Sequence, residues 1–473
     1  MTTEGPRKST PEGRAQVDAF LAALETTQYL PAAKLHAYQR RLLETIVRHA
    51  HAETDFYPDR LAPLFRSDGS IDWERWTDVP VVTRRDVQDN FGPMMARRLP
   101  NLAGGGWDET SSGSTGIPVS HLSTGIQEVA SAAASERFFR WHDIRPDKLT
   151  VRIVATHNPE AVAPDGRLKP GWRIGHEDSI AIDLNIKTPA AEQIAFLDRK
   201  KPAYLMTYPT NFRELARTAE AMGHRLSFEA VLTVGEMVSD EVRAGILAHY
   251  GHLPLDRYGA SEVGHIAATC PECNAHHIAS ELVLIEVVDE YGKPVPPGEP
   301  GRVVATPFYS LAMPFIRYEI GDHAVLSPDP CSCGRTLPVL SRILGRTRNV
   351  FRFGDGSSVW PVLYSADLSG FVPNRQYQVV QHSTTDIEFR YVPSAERQAP
   401  DLEGLTAYMR EKLHPTVTVR VTEMDVIPRS EGGKYEDYMS MVGRKPGKPA
   451  SCWSRRSRRA ACDRQGNRRR QQS

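Results

Sequence analysis

Hydroxyls and glycines alternate through Thr110, Ser111, Ser112, Gly113, Ser114, Thr115, Gly116, Ile117 and Pro118. Glycine lets backbone N–H groups come close to an anion, and serine and threonine add further donors, so such a stretch can cradle phosphate oxygens. A flexible Ser/Gly linker fits the same composition. The chain lacks the Gly-x-x-x-x-Gly-Lys-Ser/Thr sequence, which argues against a P-loop nucleotide hydrolase. The cysteines form a second reactive set, with Cys270 and Cys273 separated by two residues, His276 and His277 just beyond, then Cys331 and Cys333. The first spacing is standard for a tetrahedral zinc site and the second is less common. Four reduced, unremarkable thiols are the alternative to a metal site.

These residues need elements to hold them. Val17, Phe20, Leu21 and Leu24 recur at helical spacing, and Leu35, Tyr38, Leu42 and Ile46 continue a helical stripe. From about residue 149 short apolar runs predict buried strands over 150–155, 203–206 and 230–234, with a helix over 212–222. Strands alternating with helices imply a parallel sheet covered on both faces. The segments 281–288 and 302–306, joined by a turn-rich connection, predict antiparallel strands. Beyond Arg346 the order is strand 376–381, strand 386–391, helix 402–413 and strand 417–421. The predicted class is α/β: a large N-terminal domain, 1–344, of mixed and parallel sheet flanked by helices with a β-rich appendage, and a small mobile α+β C-terminal domain, 345–442. Residues 1–14 read as a frayed lead-in without the apolar segment of a secretory leader.

The chain has 473 residues, 58 Lys+Arg, 58 Asp+Glu and no net charge. That length can bury a large core, and no apolar run approaches the ~20 residues needed to span a bilayer. Eleven of the bases and one acid, Asp463, lie beyond Gly443, so the first 443 residues hold 47 bases and 57 acids. The body is acidic by ten, which excludes a nucleic-acid or membrane-surface binder for that part. The basic tail, 443–473, reads as a disordered arm for polyanions, an inert extension or translation past a shifted frame, and an extension irrelevant to catalysis is the preferred reading.

Seven ordered motifs, from roughly residue 35 to 440, resemble those of the acyl-adenylate-forming superfamily, and in particular its phenylacetate–CoA ligase-like branch. The Thr110–Pro118 stretch is similar to the family's phosphate loop, with Val119 where other branches carry lysine. The stretch 78–86 resembles the lead-in, Gly235-Glu236 the adenine-side turn, and Tyr258-Gly259-Ala260-Ser261-Glu262 the Tyr-Gly-x-Ser/Thr-Glu motif. Arg317-Tyr318-x-x-Gly321-Asp322 resembles Arg-Tyr-x-x-Gly-Asp, Arg342-x-x-Gly345-Arg346 the start of the small domain, and 428–434 the segment with the catalytic lysine. The resemblance implies ATP and Mg²⁺ as cofactors and CoA as co-substrate. Ser111, Ser112, Ser114 and Thr115, with Gly113 and Gly116, would hold phosphate. Glu262 would bind Mg²⁺, Tyr258 would stack on adenine beside Gly235, Glu236, Gly259 and Ser261, and Asp322 would accept the ribose hydroxyls near Arg342 or Arg346. Lys434 would reach the α-phosphate and carboxylate oxygens.

Glu262 and Asp322 should meet one nucleotide. Cys270 lies eight residues after the first and Cys331 nine after the second, so Cys270, Cys273, Cys331 and Cys333 are expected to converge on a structural Zn²⁺. The implied reaction joins an aromatic or arylacetic carboxylic acid to AMP, releases pyrophosphate and passes the acyl group to a thiol, foremost CoA. Thr347, Arg348 and Asn349 stand where the family has an acidic hinge, so adenylation is better supported than thioester formation. A carrier-protein thiol or an amine is the alternative acceptor, and a non-catalytic nucleotide-binding or zinc-scaffolded module is the non-enzymatic rival. Tyr204, Tyr208 and Phe212 suit pocket walls and core packing equally. A cytoplasmic location and a homodimer complete the expectations.

Overall fold

The computed structural model describes residues 11–110, 119–173, 176–346, 349–359, 361, 363, 365–394, 399–429 and 435–442. The phosphate-loop residues Ser111, Ser112, Gly113, Ser114, Thr115 and Gly116, the lysine Lys434 and the tail from Gly443 lie outside the described residues.

The helical stripes form the helices Pro11–Thr27 and Ala32–Glu53, which bury Val17, Leu21 and Leu24 and then Leu35, Leu43, Ile46 and Val47. The predicted strands and helix of the middle region form as Thr150–Val154, Tyr204–Thr207, Pro209–Ala221 and Ala230–Thr233. The parallel and antiparallel strands belong to one twelve-stranded mixed sheet, so the β-rich part is continuous with the parallel part. Leu255–Ala260 joins the two halves because it runs parallel to Ala230–Thr233 on one side and antiparallel to Gly264–Thr269 on the other. Beyond it the order continues through His276–Ile278, Val339–Arg346, Tyr318–Leu326, Pro300–Pro307 and Val283–Val288, all antiparallel.

One core fills the space between the antiparallel half and the N-terminal helices, and another lies on the parallel strands. The C-terminal region has a separate four-stranded sheet, ordered Thr418–Glu423, Asp386–Pro393, Asn374–Gln381, Tyr438–Ser440, with its own core around Phe351, Tyr377 and Phe389. No helix among the described residues is long and apolar enough to cross a membrane.

Local chemistry fixes the lead-in segment. Thr83 caps the helix Arg84–Asp89 in a reciprocal capping box with Asp86, which satisfies two otherwise unpaired N–H groups and sets Arg84 at the helix start. Just before it, Val82 N–H donates to Arg317 O at 2.9 Å and Glu319 N–H donates to Val82 O at 2.9 Å. The lead-in is thus laid along the start of Tyr318–Leu326, the strand that carries Asp322.

Candidate functional site

Tyr258 lies on the strand that joins the two halves of the sheet, and Asp322 lies 64 residues later on an antiparallel strand. The Tyr258 hydroxyl donates to Asp322 Oδ2 at 2.9 Å. Arg346 is the cross-strand partner of Asp322 and its Nε stands 3.4 Å from Oδ1. Burial and the neighbouring Asp322 charge push the Tyr258 phenol well above its ordinary range, so it remains a protonated donor. Arg342, four residues before Arg346, is exposed and pairs in register with Val325, so Arg346 is the arginine at Asp322.

Glu262 is buried, with Oε1 3.7 Å from Arg84 Nη1. Its loop is pinned by close backbone approach. A Cβ on Gly259 would lie 2.6 Å from Gly264 O, and Gly264 itself has φ +87° with Ser131 Oγ 2.7 Å from where a Cβ would stand. Gly235 supplies a positive φ of 76° for its turn. The turn abuts the strand of Arg346, since Met237 Sδ lies 3.0 Å from the Cβ position of Gly345. Glu236 faces protein: Oε2 accepts from Thr210 N–H and Oγ1–H at 3.1 and 2.7 Å, and Oε1 accepts from Tyr435 N–H at 2.6 Å. Arg429 Nη1 stands 3.4 Å from that same Oε1. Burial raises the Glu236 carboxyl and the Arg429 charge opposes the rise. This carboxylate therefore ties the large sheet to the segment on either side of 430–434.

The cysteines converge. Cys270 Sγ is 3.7 Å from Cys331 Sγ, and Cys331 Sγ is 3.2 Å from Cys273 Sγ. His277 Nε2 lies 3.2 Å from Cys333 Sγ, and the ligand atoms of Cys270, His277, Cys331 and Cys333 are all within 4.8 Å of one another. His277 Nδ1 stands 3.1 Å from Leu337 O, which can only accept, so Nδ1 carries the proton and Nε2 presents its lone pair to the sulfurs. Burial holds His277 neutral down to about pH 4. Its neighbour His276 points the other way, to Asp256 Oδ2 at 2.9 Å, because successive side chains on a strand face opposite sides.

A cavity of about 350 Å³ opens beside Ser261 and Gly264, between the helix Gly125–Trp141 and the strands that carry Arg152, Met206 and Arg257. Tyr204, Tyr208 and Phe212 are core residues and none lines it. The Tyr204 and Tyr208 hydroxyls accept from Arg145 N–H and Ala155 N–H at 3.1 and 3.2 Å, and Phe212 packs edge-on against Tyr250. Met206, two residues beyond Tyr204 on the same face of the strand, does line the cavity. Arg152 and Arg257 also escaped the sequence reading, although an arginine inside the apolar run Thr-Val-Arg-Ile-Val was a signal.

No protein-family model matches the chain. It is 25% identical over 455 residues, 87% of this chain and 98% of the relative, to a phenylacetate–coenzyme A ligase of Thermus thermophilus. It is 28% identical over 163 residues, 33% of this chain and 36% of the relative, to one of Pseudomonas putida. Among solved structures, 2-hydroxyisobutyryl-CoA ligase in its postadenylation state superimposes with a TM-score of 0.70 at 20% identity, covering 93% of this chain and 94% of that one. The same ligase in its thioesterification state gives 0.57 at 21% identity, over 88% and 91%. The family resemblance in the motifs is borne out: the chain is a homologue of phenylacetate–CoA ligases and has the fold of adenylate-forming ligases.

Proposed function

We propose that the protein activates a carboxylic acid with ATP, forming acyl-AMP and pyrophosphate, and then passes the acyl group to the thiol of CoA with release of AMP. The observation that carries this reading is the convergence of Tyr258, Asp322 and Arg346, from three separate motifs, beside the turn Gly235–Glu236. A carboxylate is a poor electrophile because its leaving group would be oxide, and joining it to AMP supplies a good one. Asp322 presents a buried carboxylate oriented by Tyr258 and Arg346, a fitting acceptor for paired ribose hydroxyls. Glu262 would hold Mg²⁺, whose hard charge suits carboxylate and phosphate oxygens and neutralises the charge that develops on phosphate. Arg84 Nη1, at the capped helix start, faces Glu262 Oε1 at 3.7 Å. The serines and threonines from Ser111 to Thr115 would hold phosphate, and Lys434 would meet the α-phosphate. A small C-terminal domain, 345–442, mobile against a large domain, 1–344, is part of the same proposal, as is a cytoplasmic location where ATP and CoA are available.

The decisive test is carboxylate-dependent ATP–pyrophosphate exchange over a panel of acids, repeated with CoA. Exchange and CoA thioester together are the expected result. Exchange without thioester moves the acceptor to a carrier-protein thiol or an amine, and absence of exchange with every acid removes the adenylation reading.

The cysteine cluster suits zinc: convergent sulfurs and an imidazole whose tautomer is already set for a metal. The ligands on this reading are Cys270, Cys331, Cys333 and His277, with His277 in the fourth place rather than Cys273. Four protein ligands leave no open position, so the ion would be structural, clamping the His276–Ile278 strand region to the 331–334 turn. Elemental analysis of protein purified without chelator should find about one zinc per chain, and His277→Ala should lower the content far more than Cys273→Ser. A zinc content near zero in the unaltered protein overturns the site, and the reverse order of the two variants restores Cys273 as the ligand.

A further inference from the structure

The lining of the 350 Å³ cavity is unlike a pocket for a bare aromatic ring. Three arginines face it. Arg173 is spent on Glu136, with Nε to Oε2 at 3.3 Å and Nη2 to Oε1 at 2.8 Å. Arg152 is spent on Asp183, with Nε 2.9 Å from Oδ1. Arg257 has no hydrogen bond or ion pair to any described residue, and its guanidinium rests against the rings of Phe138 and Phe139, 5.7 and 5.3 Å from their centroids. Glu109, Glu128 and Glu136 line the same cavity, and of the charges nearest the guanidinium Asp256 favours the cation while Arg152 opposes it. Asp256 points to the opposite face, where Thr233 Oγ1–H and His276 hold its two oxygens. His265 is kept neutral down to about pH 3 by burial and by the arginine charge itself. Burial lowers Arg257 to about 10, so it stays a cation at neutral pH, though a poorly solvated one.

Wall atoms without partners among the described residues include Gln127 Oε1, on a side chain 6% exposed, and Trp172 Nε1. A buried polar atom left unpaired costs about 1–3 kcal/mol. An apolar acyl group in this cavity would seal off a cation, a donor and an acceptor together. A group bearing oxygen would pair with them.

We propose that the cavity receives the acyl part of the substrate and that this part carries its own oxygen acceptor, a hydroxyl, keto or second carboxylate group, docked on the Arg257 guanidinium. The inference rests on the adenylation reading, because the cavity edge at Ser261 and Gly264 adjoins Glu262, the residue proposed there to hold Mg²⁺ at the reacting phosphate. Arg257 is then a specificity residue, and an unsubstituted phenylacetate or alkanoate is a poor occupant.

Matched acids test it: butyrate against 3-hydroxybutyrate, acetoacetate and succinate, and phenylacetate against 4-hydroxyphenylacetate. Each is measured by ATP–pyrophosphate exchange and by calorimetric binding, in the unaltered protein and in Arg257→Met. The oxygen-bearing member of a set should win by tenfold or more in kcat/KM and in Kd, since a site built to pair a polar group discriminates strongly against its absence. The member that wins most identifies the acceptor as hydroxyl, keto or carboxylate. In Arg257→Met the ratio should fall towards one, and Arg257→Lys, which keeps the charge without the fork, should fall between. Equal values within every set in the unaltered protein overturn the proposal, as does a preference that survives Arg257→Met. Should no acid support exchange while calorimetry still finds the preference and its loss in Arg257→Met, adenylation fails and the cavity assignment stands. If exchange with phenylacetate is as good as with its hydroxylated partner, and the other set also shows no preference, adenylation stands and the cavity assignment fails. No binding of any acid overturns both.

Discussion

Replacing Lys434 by alanine is expected to slow carboxylate-dependent ATP–pyrophosphate exchange by about 10²–10³-fold, the usual loss when a group placed at developing transition-state charge is removed. The described residues on either side of it in sequence are firmly anchored. Tyr435, its neighbour, is 5% exposed and its N–H donates to Glu236 at 2.6 Å. Arg429, on the other side of the segment, donates to Thr210 Oγ1 at 2.9 Å and pairs with the same Glu236. Asp437 adds an ion pair to Arg213 at 2.8 Å. The anchors named run through Arg429, Tyr435 and Asp437, so thermal stability should be unchanged in Lys434→Ala. Exchange at the unaltered rate in a folded Lys434→Ala protein would refute its assignment.

Arg317→Ala should lower stability by about 3–5 kcal/mol, the range for breaking a buried ion pair from one side. Arg317 is 1% exposed and holds three segments at once. Its Nε and Nη2 reach Glu286 at 3.2 and 3.1 Å. Nη1 donates to Val79 O at 2.7 Å and Thr77 O at 3.2 Å, and Nη2 donates to Gly292 O at 2.6 Å. Removing it strands the Glu286 carboxylate, which burial already raises and Arg317 draws back down, together with three carbonyls. Guanidinium denaturation followed by circular dichroism measures the loss. The pair Arg317→Met, Glu286→Leu should recover a good part of it, because two apolar groups leave no buried charge. A loss below about 1 kcal/mol in the single variant would mean that water replaces the arginine.

Arg317 also illustrates how the residues of one motif can turn to different tasks. The Arg-Tyr-x-x-Gly-Asp stretch marks the family, and its Asp322 stands with Tyr258 and Arg346. The arginine of that stretch has turned the other way, with φ +53°, to fasten the lead-in segment and the 289–292 turn. The Gly235–Glu236 turn is similar. Its place beside Arg346 agrees with a nucleotide-side turn, yet the glutamate itself is committed to Thr210, Arg429 and Tyr435. Arg342 and Arg346 were equivalent in the sequence, and only the pairing of Asp322 with Arg346 across two strands separates them.

The legible part of the fold consists of elements with a clear period. The stripe from Val17 to Leu24 and the apolar runs of the parallel strands needed only spacings of two to four residues, and all became the predicted elements. The cysteine pairs were legible as a candidate metal set for a similar reason, since their spacing is local. The choice between His276 and His277 was not, because it depends on which face of a three-residue strand looks at the 331–333 turn.

From the sequence alone came the residue inventory, the order of helices and strands, the acidic body with its basic tail, and a family whose chemistry suits those motifs. The tertiary structure decided the rest: that Leu255–Ala260 welds two half-sheets into one, that Tyr258, Asp322 and Arg346 meet, that Glu236 fastens the C-terminal segment, and that the cavity beside Ser261 is lined with arginine while Tyr204, Tyr208 and Phe212 go to the core. The division has one physical cause. Local patterns follow from backbone periodicity, which a few adjacent residues express. Meetings across 64 residues depend on strand register and on which face each strand turns inward, and a shift of one residue would reverse every one of them.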